Sequence, residues 1–159
     1  MKHFTLAAFS IERRMAAVVL FRGSQLEGTR HRHLPPDTSK SSDTVREFAR
    51  RTLEHHDPEF VAISCPSTKK IGNRIRTSCE VIKEIASGLG IPVVEVDDMT
   101  LMCAYRHPPL TRKEHVRRVG RTIWPTLNDA KATKAAVDAA LIGLYVQTER
   151  LFSMHEEAA

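Results

Sequence analysis

The sequence predicts an α/β fold: a mixed five-stranded sheet, three antiparallel strands followed by two parallel ones, flanked by helices. Two observations predict it. Three short apolar or β-branched runs bounded by turn signals occupy the first 34 residues, and after a polar loop the apolar period changes from about 2 to about 3.6. From there strands and helices alternate, which favours a parallel half-sheet joined to the opening antiparallel meander.

The first strand is Phe4 to Phe9, followed by a break from Ser10 to Arg14 and a second strand from Met15 to Phe21. Arg22-Gly23-Ser24-Gln25 is a turn, and a third strand runs from about Glu27 to Leu34. The stretch from Leu34 through Pro35-Pro36 to Ser42 reads as a solvated loop, since two prolines and a Ser/Thr run neither continue a ladder nor fill a core. Ser42 or Asp43 can cap a helix with Val45, Phe48, Ala49 and Leu53 on one face, stopping before Asp57-Pro58. Phe60 to Ile63 is a buried strand too short for a helix.

Beyond the basic stretch from Lys69 to Arg76, a second amphipathic helix carries Ile75, Cys79, Ile82, Ala86 and Leu89 and ends at Gly88-Leu89-Gly90. Ile91 to Val96 is the fifth strand, and Asp97-Asp98 can cap a short helix from Met99 to Tyr105. Thr111-Arg112-Lys113-Glu114 fits a capping box. It opens a helix with Val116, Val119 and Ile123 inward and Arg117, Arg118 and Arg121 outward. A last long helix from about Ala130 to Leu151 buries Val137, Leu141, Leu144 and Tyr145.

Composition sets bounds on function. A chain of 159 residues with 42% hydrophobic content suits a single globular domain over residues 1–159. No apolar run is long enough to span a membrane, so no membrane partner is expected. The opening apolar run is only strand-length and is soon followed by Glu12, Arg13 and Arg14, which does not read as a secretory signal. Three cysteines without CxxC spacing point to a reduced, cytoplasmic setting. The net charge of +5 is moderate and serves solubility as readily as binding. Its clustering favours a nucleic-acid partner, because Lys69, Lys70, Arg74 and Arg76 crowd one helix entrance and Arg112, Lys113 and Arg117 lie along another segment.

Other constellations carry less. His31 and His33 share a strand face, yet two ligands make an exposed pair rather than a metal site. His55-His56 reads as a solvated helix end. Ser64-Cys65-Pro66 has no histidine placed beside it by the sequence, so a buried cysteine at a strand end is the better reading. The phosphate-loop, dinucleotide-loop and zinc-protease motifs are absent.

Four stretches in order, Leu6 to Val19, Asp57 to Ile63, Ile91 to Val96 with Thr111 to Val116, and Asp138 to Leu144, together resemble the RuvC family of Holliday-junction resolvases within the RNase H-like superfamily. The resemblance covers about residues 4 to 148. It implies phosphodiester hydrolysis by two divalent metals held by about four acids. Carried over position by position, those acids fall on Ser10, Ser64, Ala135 and Asp138, so only Asp138 is retained. A serine hydroxyl is a weak neutral ligand, and one carboxylate does not localise two metal ions.

The leading expectation is therefore a catalytically degenerate RuvC-like domain that binds branched or duplex DNA without cutting it and needs no cofactor. The alternatives are a protein-interaction scaffold and a nuclease using magnesium or manganese with displaced acids. Glu12, Asp97 and Asp98 are the candidate substitutes beside Asp138. Their plainer roles are a solvated turn residue for Glu12 and helix caps for Asp97 and Asp98, while Asp138 can pair with Lys134. The resemblance also implies a homodimer through the helix carrying Ile75, Ile82, Ile85 and Leu89.

Overall fold

Five strands form one sheet in the order β3-β2-β1-β4-β5. In the computed structural model, which describes residues 4–65, 73–97, 100, 113–128 and 133–158, these are β1 (Thr5–Ile11), β2 (Met15–Arg22), β3 (Gln25–His33), β4 (Phe60–Cys65) and β5 (Val93–Asp97). β1 pairs antiparallel with β2, and β2 with β3, whereas β1–β4 and β4–β5 are parallel. The expected architecture of three antiparallel and two parallel strands is the one observed.

Helix α1 (Thr38–His56) follows β3, and α2 (Asn73–Gly88) connects β4 to β5. Then come α3 (Lys113–Ile123), a 3-10 turn (Pro125–Asn128) and α4 (Lys134–Ala158). Strand alternation divides the sheet between two cores. Ala7, Phe9, Val18, Val61 and Ile63 pack under α1 and α2, while Leu6, Ala8, Val19, Ala62 and Val96 pack under α4. Because β1 and β2 are covered on both faces, they read as unbroken apolar runs. β3 is an edge strand and carries exposed Arg30, His31, Arg32 and His33, charges and polar rings that discourage edge-to-edge pairing.

Some boundaries differ from expectation. α1 starts at Thr38 rather than after Ser42, because Asp37 caps it: the Asp37 carboxylate accepts from the Lys40 N–H at 3.0 Å. An N-cap aspartate directly after Pro35-Pro36 nucleates a turn whose Ser/Thr residues have no apolar period to reveal it. Its other end closes at Asp57, left-handed at φ 42°, with the Asp57 N–H donating to the Leu53 carbonyl. At α4 the described helix opens at Lys134, with the Thr133 hydroxyl accepting from the Ala136 N–H. Val137 and Leu141 are buried as expected, whereas Leu144 and Tyr145 are only half-buried. Of the short helix expected from Met99 to Tyr105 only Thr100 is described, as helical, and the capping residues Thr111 and Arg112 lie outside the described residues.

α4 sits close on the sheet because it presents small residues there. A Cβ added at Gly143 would lie 2.4 Å from the Phe21 ring and 3.2 Å from the Ala8 methyl. The Phe21 ring is itself held against Trp124, with centroids 5.8 Å apart, so it has little room to retreat. Gly143→Ala is accordingly expected to destabilise the fold by about 1–3 kcal/mol through overpacking, read as a lower urea midpoint with an unchanged slope.

His55 and His56 stack edge to face at the end of α1, their centroids 4.7 Å apart. His56 is not the solvated residue expected: its Nε2 is buried without a hydrogen-bond partner among the described residues. Burial first, then the charges of Arg30 and His55, lower its pKa below 6.5, against a weaker opposing pull from Glu27. The folded state then binds fewer protons than the unfolded one, so stability is lost as pH falls below about 6.5. Replacing His56 with Gln should flatten that acid-side decline, measured as urea midpoints from about pH 8 to about pH 5.

Candidate functional site

The carboxyl ends of β1, β4 and β5 share one edge of the sheet, as parallel pairing requires. Alternation places Ser10 and Ser64 on the α4 side of that edge, continuing the rows that contain Ala8 and Ala62. Ser10 is buried beside Ala17 of β2, and the Ser64 Oγ is buried with no hydrogen-bond partner among the described residues. The first turns of α4 bring Ala135 and Asp138 to the same side; Ala135 is wholly buried and Asp138 nearly so. The fold thus gathers on one side of the sheet all four positions to which the resemblance assigns catalytic acids, and only Asp138 among them carries a carboxylate.

Arg117 fills the space that a group facing Asp138 would use. Its Nε donates to Asp138 Oδ1 at 3.0 Å and its Nη2 to Asp138 Oδ2 at 2.9 Å, a bidentate fork. The same Nη2 donates to Glu12 Oε1 at 3.0 Å. One guanidinium therefore joins α3, α4 and the β1–β2 turn. Glu12 is set in place by that turn, where its N–H donates to the Met15 carbonyl at 2.8 Å and leaves Arg13 and Arg14 exposed at the tip. The Arg117 and Asp138 side chains are 11% and 9% exposed and Glu12 is 35% exposed, so the pair is buried and the third partner borders solvent.

The outward orientation expected of Arg117 is corrected. α3 lies against α4 through Gly120, where a Cβ would come within 2.8 Å of Val137 Cγ1. Arg117 is three residues earlier on the same helical face and must also point inward. Ile123, expected inward, is 43% exposed. Gly120 and Arg117 thus share the face that meets α4, while the side chains of Val116 and Val119, also expected inward, lie outside the described residues.

The other candidates separate. Asp97 ends β5 opposite Cys65, and alternation puts it on the face of Val93, the α1–α2 side, away from Glu12 and Asp138. Asp98, Lys69, Lys70 and Arg112 lie outside the described residues, and Lys113 is located only as the first residue of α3. Arg74 is turned onto the polypeptide: it donates to the Pro36 carbonyl at 2.8 Å and to the Pro35 carbonyl, fastening α2 to the loop before α1. Arg76 and Arg118 are exposed, as are Arg13, Arg14 and Lys40 on the neighbouring turn and helix start. Arg13, Asn73 and Arg74 line a cleft with Pro36, Thr38 and Ile75 between the β1–β2 turn and the start of α2. Sequence reasoning left Arg13 and Arg14 out of the cationic set; their adjacency at a hairpin tip beside a strand's carboxyl end was the available signal.

These residues do not fit a pair of divalent metals. Ser10 and Ser64 offer neutral hydroxyls, Ala135 offers no ligand, and the oxygens of Asp138 already accept from a guanidinium. Among the described residues no group of three or more His, Cys, Asp or Glu is placed to hold a metal ion, and no helix is long and apolar enough to cross a membrane.

No protein-family model and no curated protein matches the chain. Its architecture does match solved structures. A structure of Thermus thermophilus RuvC in complex with Holliday junction substrate is similar with a TM-score of 0.73 at 17% identity, over 94% of this chain and 96% of that one. A second Thermus thermophilus RuvC structure gives a TM-score of 0.72 at 17% identity, covering 93% and 96% of the two chains. The yeast mitochondrial Holliday junction resolvase Ydc2 gives 0.63 at 8% identity, over 97% of this chain and 86% of that one. The chain has the RNase H-like fold of these resolvases.

Proposed function

We propose that this chain, sharing its fold with RuvC, is a catalytically degenerate resolvase-like domain that binds branched or duplex DNA without cleaving it. One observation carries the proposal: a buried guanidinium bridges Asp138 and Glu12 on the side of the sheet where Ser10, Ser64 and Ala135 stand at the other acid positions. Fold alone does not confer function. What supports DNA as the partner is the exposed cations Arg13, Arg14, Arg76 and Arg118, on the turn after β1, the start of α2 and α3, together with Lys69, Lys70, Arg112 and Lys113 from the sequence. Such residues neutralise phosphates and release counterions. Arg117 and Arg74 support that surface from behind, the first by docking α3 and the second by fixing the start of α2.

The nuclease alternative, with displaced acids and magnesium or manganese, would need Glu12 and Asp138 for its metals. Both serve Arg117 instead. A cytoplasmic setting accords with the buried free thiol of Cys79. The homodimer that the resemblance implies would have Leu89, 42% exposed just beyond the end of α2, as its large apolar contact, because Ile82 and Ile85 are spent on the core. Sedimentation velocity at tens of micromolar tests it, and a monomer alone would remove it.

Fluorescence anisotropy with a labelled four-way junction in EDTA tests the binding proposal. Affinity should fall steeply with salt, the slope of log K against log salt being about −0.9 for each phosphate neutralised. A flat salt response would favour the protein-interaction scaffold.

A further inference from the structure

Two carboxylates and one guanidinium meet at the end of β1 through three hydrogen bonds of 2.9 to 3.0 Å. We propose that Arg117 is the resident cation of this pocket, a covalently tethered replacement for the divalent ions of a two-metal nuclease, which closes the site to magnesium and manganese until that side chain is removed. The inference rests on the reading of a degenerate site and deepens it.

Three features support the replacement. The guanidinium fork matches both Asp138 oxygens, and the Nη2 that completes it also reaches Glu12, so an entering metal would have to break all three bonds. The arginine has little freedom to leave, because α3 is packed on α4 at Gly120, where the missing Cβ permits contact with Val137 and Leu141. Finally, Ser64 presents on the same side of the sheet a buried hydroxyl without a hydrogen-bond partner among the described residues, so the guanidinium at Asp138 does not satisfy it. With Arg117 gone, Glu12 and Asp138 would repel each other and the pocket would become a weak oxygen-lined site for a hard cation.

Manganese binding followed by electron paramagnetic resonance, with thermal unfolding in parallel, provides the test. The unaltered protein should bind no manganese at millimolar concentration and keep the same midpoint as in EDTA. Arg117→Met should unfold at lower temperature in EDTA, recover several degrees on adding manganese, and lose that response when Asp138→Asn is added. Manganese bound by the unaltered protein and lost in Asp138→Asn would overturn the proposal, as would a folded Arg117→Met that is indifferent to the ion. Should Arg117→Met not fold, Arg117→Gln takes its place, and the resonance measurement on the unaltered protein decides by itself whether the pocket is closed. DNA affinity of the unaltered protein in EDTA, which tests the binding reading, is measured separately from these outcomes. Manganese binding by the unaltered protein without junction cleavage would sink this inference alone, whereas cleavage by it would sink the non-cleaving reading as well.

Discussion

Arg117→Met should lower the stability of the domain by about 3 kcal/mol, because removing one partner of a buried ion pair strands the other charge. For a chain of this size that corresponds to a midpoint lower by about 10 °C. The loss comes mainly from Asp138, which is buried beside Val137, Ala139 and Leu141 and would lose the bidentate fork. Glu12 contributes less, since it borders solvent and can hydrate. Glu12→Gln is therefore expected to cost about 1 kcal/mol or less, in the range of a partly exposed pair. The informative control is the double variant Arg117→Met with Asp138→Leu. Removing both leaves neither member of the fork facing an empty partner position, and most of the lost stability should return. Calorimetric or urea unfolding of this cycle gives the coupling energy directly. A fully additive cycle would mean that the guanidinium and the carboxylate do not depend on each other, against the geometry.

Reversing charge at Arg13, Arg76 and Arg118 together should weaken junction binding about a hundredfold and reduce the salt slope by about three, one for each phosphate no longer neutralised. None of these residues belongs to the core: all three are exposed. Stability should therefore change by no more than about 0.5 kcal/mol, so a loss of affinity would not be a loss of fold. Reversal at Arg50 and Arg51 is the matched control. They lie on α1 among Glu47 and Glu54, and Arg51 is already paired with Glu47 at 2.7 Å. Equal losses from the two sets would show that net charge, rather than the sheet edge, governs binding.

Much of the architecture was legible in the sequence. The apolar runs in β1, β2, β4 and β5 are long enough to mark strands buried on both faces, and the helices between the later strands fix their parallel pairing. The start of α1 was not legible because Asp37 supplies a cap without an apolar period behind it. Positions for the site followed from the order of the segments: Ser10, Ser64, Ala135 and Asp138 do share one side of the sheet. The choice of partner for Asp138 was misleading. Lys134 is the nearer cation in sequence and stands exposed, whereas the fork comes from Arg117, 21 residues away. The signal was present in two places. An aspartate within a run of alanine, valine and leucine must find a buried cation, and an arginine three residues before a glycine at a close helix crossing shares that glycine's inward face. Arginine is ordinarily read as an outward residue, and here that reading placed it among the DNA-binding residues.

The most direct test of a non-cleaving junction binder is to incubate the protein with an end-labelled four-way junction in manganese, beside Asp138→Asn, scoring strand cleavage on a denaturing gel and complex formation on a native one. A retarded junction with intact strands in both lanes is the predicted result. Specific nicks that disappear in Asp138→Asn would contradict it and restore a metal-dependent nuclease.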